Sequence, residues 1–313
     1  MRVFKGKSIT IYQLNSGKFA LDGGAMFGVV PKVLWEKLIK PDERNRIPMA
    51  THPLLVKTDK GYVLIESGLG TGWDEKFKDI YAVEEEDPFK NAPIGRQEVS
   101  LIVQTHLHFD HAGELVSDGE YRYKCPVVIQ QYEWMDALFP HERSKASYPQ
   151  ERIKPLEGHL KIVSGSQEVW ENIFVYRTGG HTRGHQIVVI KDAEKTFVFV
   201  GDVIPTRHHV PLPYVMGYDL YPEEMLFVRK NLYPLFIKER AIIFTPHDRE
   251  PFAGYLDMDE KGRFLLKEIE PDDGHLPGHR PGHLPRQNAG YGSLALVLHE
   301  EDKGPQNPFI GPD

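Results

Sequence analysis

The sequence predicts an α/β protein in which two β-sheets are faced by helices on their outer sides. Three observations predict it. Short apolar runs of strand length are interspersed with helical patterns along the chain. The theme occurs in two similar halves, which suits two sheets, each covered on its outer face. Several of the runs also end in His or Asp, and loops at one rim of a rigid scaffold are where chemistry usually sits.

The elements follow in order. Residues 8–14 alternate through Ile9 and Ile11 and read as a strand. Residues 54–58 and 62–65 flank Asp59-Lys60-Gly61 and read as a hairpin. Residues 100–104 and 126–129 are two further strands. Residues 130–139 have helical spacing, with Trp134 and Leu138 four apart. In the second half, residues 173–176, 187–190 and 196–200 are apolar runs bounded by turn signals. Residues 222–240 form the longest helical pattern, with Pro222 at its first turn. Pro234 inside it predicts a kink or a split. Residues 241–245 are another strand, and no short-period repeat interrupts the pattern.

We read the chain, residues 1–313, as one domain with two segments set apart. Residues 21–49 are rich in Gly, Pro and large apolar side chains, including Met26, Phe27, Trp35 and Leu38. They read as a lid-like insertion of loop and helix. Residues 271–290 carry His275, His279 and His283 separated by prolines. Prolines forbid a regular helix there, so these imidazoles are not a helical metal pair, and the segment reads as a flexible surface loop.

Composition narrows the function. The chain has 313 residues, of which 40% are hydrophobic and 27% charged, enough for a sizeable core in a soluble protein. A formal net charge of -7 argues against nucleic-acid binding, which needs a basic footprint. Cys125 is the only cysteine, so no internal disulfide can form, which fits a reducing compartment. It reads as a core or strand-edge residue. The first residues lack the apolar stretch of a signal peptide, and no apolar run approaches the ~20 residues of a membrane helix. The expectation is a cytoplasmic protein with a small-molecule substrate and neither a nucleic-acid nor a membrane partner.

The chemistry is concentrated in Thr105-His-Leu-His-Phe-Asp-His-Ala-Gly113, directly after a strand. A strand ending in His-x-His-x-Asp-His can point two imidazoles one way and leave an Asp-His pair for a neighbouring position. That arrangement suits two metal ions side by side. Further apolar runs end in Gly179-Gly-His181-Thr-Arg-Gly-His185, in Gly201-Asp202 and in Pro246-His247-Asp248.

At this point residues 50 to 250 resemble the metallo-β-lactamase superfamily, because these motifs occur in its order and approximate spacing. The resemblance implies an αββα sandwich with a dinuclear metal site at one edge. It implies that His106, His108 and His181 bind the first metal, that Asp110, His111 and His247 bind the second, and that Asp202 bridges both. His185 is implied to be a support rather than a ligand. The donor types put zinc first, with iron, manganese and cobalt open. The implied reaction is attack by a metal-bridging hydroxide, with Asp110 carrying the proton to the leaving group. No Gly-x-Ser-x-Gly elbow is present to suggest a serine nucleophile.

Residues 21–32 resemble the start of the branch containing N-acyl-homoserine lactonases and related organophosphate hydrolases. That likeness implies lactone opening, with phosphotriesterase activity as a side reaction to test, and a segment that walls a hydrophobic pocket. Met26, Phe27, His209 and Tyr218 are the candidate substrate contacts. A homodimer, common in this branch, is equally open. Two departures matter. Lactonases carry a Tyr three residues after the bridging Asp, where this chain has Pro205; Tyr214, Tyr218 or His209 could replace it. Glu66-Ser-Gly stands where many relatives have Asp-Thr-Gly, which points to a changed buried support. The alternative is a thioesterase of the glyoxalase II kind. Its basic C-terminal grip is not matched by this acidic, proline-rich C-terminus.

Overall fold

The computed structural model describes residues 1–193 and 195–271. Two seven-stranded sheets dominate it. The first runs in spatial order Arg2–Lys5, Thr10–Gln13, Leu54–Thr58, Gly61–Ile65, Val99–Val103, Val127–Gln130, Leu160–Val163. Its first three pairings are antiparallel and its last three parallel. The second sheet runs Gln167–Trp170, Ile173–Arg177, Gln186–Asp192, Lys195–Phe199, Ile242–Phe244, Ala253–Met258, Phe264–Glu268. Only the pairing of Lys195–Phe199 with Ile242–Phe244 is parallel there, because the long helix intervenes between these two strands and a crossover can return the chain in the same direction.

The period of two along each strand sorts side chains into layers. In Leu54–Thr58, Leu54 and Val56 join the core between the sheets, while Leu55 faces the outer layer. The inner core interleaves Val63, Leu101 and Val103 with Val188, Phe197 and Phe244. On the outer face of the first sheet, Ile102, Val127 and Ile129 meet Ala137, Ile153 and Leu156. On the outer face of the second, Val189, Val198 and Ile243 meet Met225, Val228, Leu232 and Phe236 of the helix Pro222–Lys238. This is the αββα arrangement expected from the sequence.

The hairpin Leu54–Thr58/Gly61–Ile65 and the strands read from the apolar runs are all present. Of the kink or split expected at Pro234, the split is absent. The helix Pro222–Lys238 continues through it, since buried Leu232, Tyr233, Leu235 and Phe236 hold both halves on the sheet and outweigh one missing backbone hydrogen bond.

Within residues 21–49 the chain forms two short helices, Gly23–Phe27 and Lys32–Trp35. They are bracketed by Lys18–Asp22 paired antiparallel with Arg46–Ala50. Asp22 caps the first helix by accepting from the Ala25 N–H at 2.8 Å. Phe27 and Trp35 stack with centroids 5.4 Å apart, and with Phe19, Met26, Met49, Phe109 and Met216 they make a fourth apolar cluster beside the sheets. Cys125 is buried. The histidine- and proline-rich segment at 271–290 lies, beyond Pro271, outside the described residues. Among the described residues no helix is long and apolar enough to cross a membrane.

Candidate metal centre

The site forms where strand ends from both sheets meet. His106 follows the strand Val99–Val103, and the short helix Phe109–Ala112 carries Asp110 and His111. His181 follows Ile173–Arg177, Asp202 sits in the turn Gly201–Val203 after Lys195–Phe199, and His247 follows Ile242–Phe244. The turn into Asp202 requires glycine. Gly201 has φ 49°, and a Cβ there would stand 2.7 Å from His185 Nε2 and 2.9 Å from Thr105 Oγ1.

All seven motif residues are buried, and they fall into overlapping groups. One ligand atom each from His106, His108 and His181 lie within 4.8 Å of one another; so do atoms of Asp110, His111 and His247, and of His106, His111 and Asp202. His181 Nε2 stands 3.1 Å from His108 Nδ1 and 3.3 Å from Asp202 Oδ2. His247 Nε2 is 2.9 Å from His111 Nε2 and 3.4 Å from Asp110 Oδ2. Asp202 Oδ1 is 3.4 Å from both His111 Nε2 and His247 Nε2. The two oxygens of one carboxylate therefore face the two groups.

These donors fit cations. Ring nitrogens drawn to about 3 Å repel unless a proton or a metal lies between their lone pairs. His106 Nε2 and Asp202 Oδ1 are buried and have no hydrogen-bond partner, a costly state for an orphaned polar atom. Imidazole and carboxylate donors without thiolate suit zinc and other borderline divalent metals.

Charge follows the same division. Burial, reinforced by neighbouring imidazoles, holds His106 and His108 well below the usual histidine pKa, so both stay neutral. Burial also works against the His111 imidazolium, but the Glu66, Asp110 and Asp202 carboxylates outweigh it and raise its pKa. Burial opposes Asp202 ionisation, yet His111 and His181 hold its pKa well below the carboxylate range.

The outer ring nitrogens are tied down as metal-binding imidazoles require. His111 Nδ1 pairs with Glu66 Oε2 at 2.7 Å, so the residue in the Asp-Thr-Gly position is a buried support. His181 Nδ1 pairs with Asp219 Oδ1 at 2.8 Å, His247 Nδ1 with the Ala50 carbonyl at 3.1 Å, and His106 Nδ1 with Thr105 Oγ1 at 2.9 Å. His185 stands outside the groups, and its Nε2 accepts the Asp202 N–H at 3.1 Å. Sequence reasoning missed Asp219. It lies in an ordinary loop, Met216-Gly-Tyr-Asp219, and only the tertiary fold carries it to His181.

A cavity of about 110 Å³ opens onto Asp110, Asp202 and His247. Leu21, Met26, Met49, Phe109 and Met216 make its apolar wall; Tyr81, Tyr218, Arg143 and Ser147 add polar groups. Met26 and Tyr218, two of the four candidate substrate contacts, line it. Phe27 and His209 do not line it. Both are completely buried and stack on each other with centroids 4.5 Å apart. His209 has both nitrogens engaged, with the Met26 carbonyl at 2.9 Å and Thr206 Oγ1 at 2.8 Å. Their apolar and aromatic character drew them into packing behind Met26, one layer away from the cavity. Tyr214, the other tyrosine considered for the Pro205 position, packs edge-on against Phe27.

Comparison with known proteins bears on the family and the fold. Residues 46–247 match the model of the metallo-beta-lactamase superfamily. A protein named N-acyl homoserine lactonase, from Bacillus thuringiensis, is 31% identical over 259 residues, covering 77% of this chain and 93% of the relative. A crystal structure described as a probable metal-dependent hydrolase from Staphylococcus aureus superposes with a TM-score of 0.79 at 32% identity, covering 85% of this chain and 99% of the other. The structure of AidC, described as a dizinc quorum-quenching lactonase, has the same fold with a TM-score of 0.71 at 20% identity, covering 87% and 98%.

Proposed function

This chain belongs to the metallo-beta-lactamase superfamily, and from that premise we propose that it is a dinuclear metallohydrolase that opens lactone rings bearing an aliphatic acyl substituent. The observation that carries the reading is Asp202, whose two carboxylate oxygens face two groups of buried donors at the floor of a largely apolar cavity. The name of the Bacillus thuringiensis relative supports the substrate class.

In this reading His106, His108 and His181 would hold one cation, Asp110, His111 and His247 the other, and Asp202 would contribute to both, with zinc the favoured metal. When bound, such a pair supplies Lewis acidity and a water acidic enough to be ionised near neutral pH. The chain's own residues do the rest. Met26, Met49 and Phe109 shield the acyl chain from water and orient the ring over the floor. Asp110, a cavity-lining carboxylate, accepts the proton of the attacking water and delivers it to the alkoxide released when the ring opens. Tyr218 takes the part that Pro205 cannot, with its hydroxyl directed to the substrate carbonyl. Burial raises its pKa, so it remains a donor at neutral pH.

The test is a substrate panel on protein of measured metal content: acyl-homoserine lactones, δ-lactones, S-lactoylglutathione and paraoxon. Lactone turnover that scales with bound metal is expected. Turnover of the thioester alone would replace this reading with the thioesterase one.

A further inference from the structure

Glu133 is completely buried in the first turn of the helix Gln131–Leu138, yet it lines no cavity described above. A carboxylate fully removed from water needs several donors, and this one has three. Its Oε1 accepts the Leu107 N–H at 2.9 Å and the Tyr148 hydroxyl at 2.8 Å. Its Oε2 accepts the Thr182 hydroxyl at 2.5 Å. Leu107 is the residue between His106 and His108, and Thr182 immediately follows His181. The Tyr148 ring packs against the His108 ring, with centroids 4.7 Å apart. The backbone keeps this meeting point tight, since a Cβ at Gly184 would stand 2.2 Å from the Glu133 nitrogen.

We propose that Glu133 is a positioning residue for one metal position and not for the other: it ties the His106–His108 turn to the His181 loop. The inference rests on the reading that these three histidines hold a cation. His111 and His247 have separate supports in Glu66 and the Ala50 carbonyl, so the consequence of losing Glu133 is asymmetric.

The experiment measures zinc per chain by elemental analysis after equilibration in chelator-buffered zinc, alongside thermal unfolding and far-UV circular dichroism. Wild type, Glu133→Gln, His247→Ala and the double variant are compared. Wild type is expected to hold two equivalents, each single variant one, and the double variant none. The equivalent lost in Glu133→Gln should weaken by roughly 10–100-fold, the usual effect of removing an outer support, and excess zinc should restore both its occupancy and turnover. Should Glu133→Gln fail to fold, Thr182→Val and Tyr148→Phe each remove one tie and should weaken the same single equivalent. Two equivalents retained at wild-type affinity in the variants, or both lost together, would overturn the proposal. A wild-type chain that retains no zinc would instead overturn the metal reading itself.

Discussion

The His111 Nδ1 atom lies 2.7 Å from Glu66 Oε2, and both side chains are almost wholly buried. The same carboxylate accepts the Thr105 N–H through Oε1 at 2.6 Å. Glu66 thus joins the end of one strand to the beginning of the His-x-His-x-Asp-His motif and sets the His111 ring. Its backbone has φ 63°, uncommon for a residue with a side chain, and the two hydrogen bonds offset that strain. Glu66→Ala should leave the fold in place while lowering metal affinity or kcat/KM by about 10–100-fold. Metal analysis and kinetics on one preparation check it; unchanged values would remove Glu66 from the site.

Asp202→Asn and His106→Ala should each remove most of the metal and activity. The fold should survive, because the inner core between the sheets does not include either side chain. Elemental analysis with circular dichroism is the measurement. A fully active, metal-free Asp202→Asn protein would refute the assignment of this centre.

Met26 and Phe27 are neighbours with different expected behaviour. Met26 lines the cavity, so Met26→Ala should shift the preferred acyl length while costing little turnover on short substrates. Phe27 is packed between Trp35 and His209, so Phe27→Ala should act mainly on stability, by about 3–5 kcal/mol. A chain-length profile and a denaturant titration on each variant separate the two. An unaltered profile for Met26→Ala would place it outside the substrate's reach.

Tyr218→Phe should retain the full metal content and lower kcat by about 10²-fold, the size expected when a donor to a developing oxyanion is removed. Wild-type kcat in this variant would mean that no tyrosine performs the role vacated at Pro205.

Acid should destabilise the protein through histidines outside the ligand groups. Burial lowers the His209 pKa from 6.5 to about 3 and that of His52 from 6.5 to about 4. The unfolded chain therefore binds protons that the folded chain refuses, and stability is complete above pH 6.5. It falls as pH drops through the window from 6.5 towards 4 and 3, by at most about 1.4 kcal/mol per pH unit for each such group. Urea unfolding at several pH values measures the slope. His209→Gln should flatten it even if the variant is less stable at neutral pH; an unchanged slope would assign the acid sensitivity elsewhere.

The sequence by itself determined the plan of two sheets faced by helices and the order of the motif residues. Alternation such as that through Ile9 and Ile11 and runs that end in His or Asp are local patterns, and local patterns survive in one dimension. Donor spacing within His106–His111 is likewise local, so its metal-binding chemistry could be read directly. What only the tertiary structure decided was which side chains stand beside those donors. Asp219 reaches His181 from 38 positions away, and Glu133 joins Leu107 to Thr182 across two separate loops. No periodicity marks either one. Phe27 and His209 looked as suitable for a pocket as Met26 and Tyr218, because composition records polarity and size but not depth. The continuous helix through Pro234 has the same origin: burial of its apolar face against the sheet prevailed over a local preference that the sequence displayed alone.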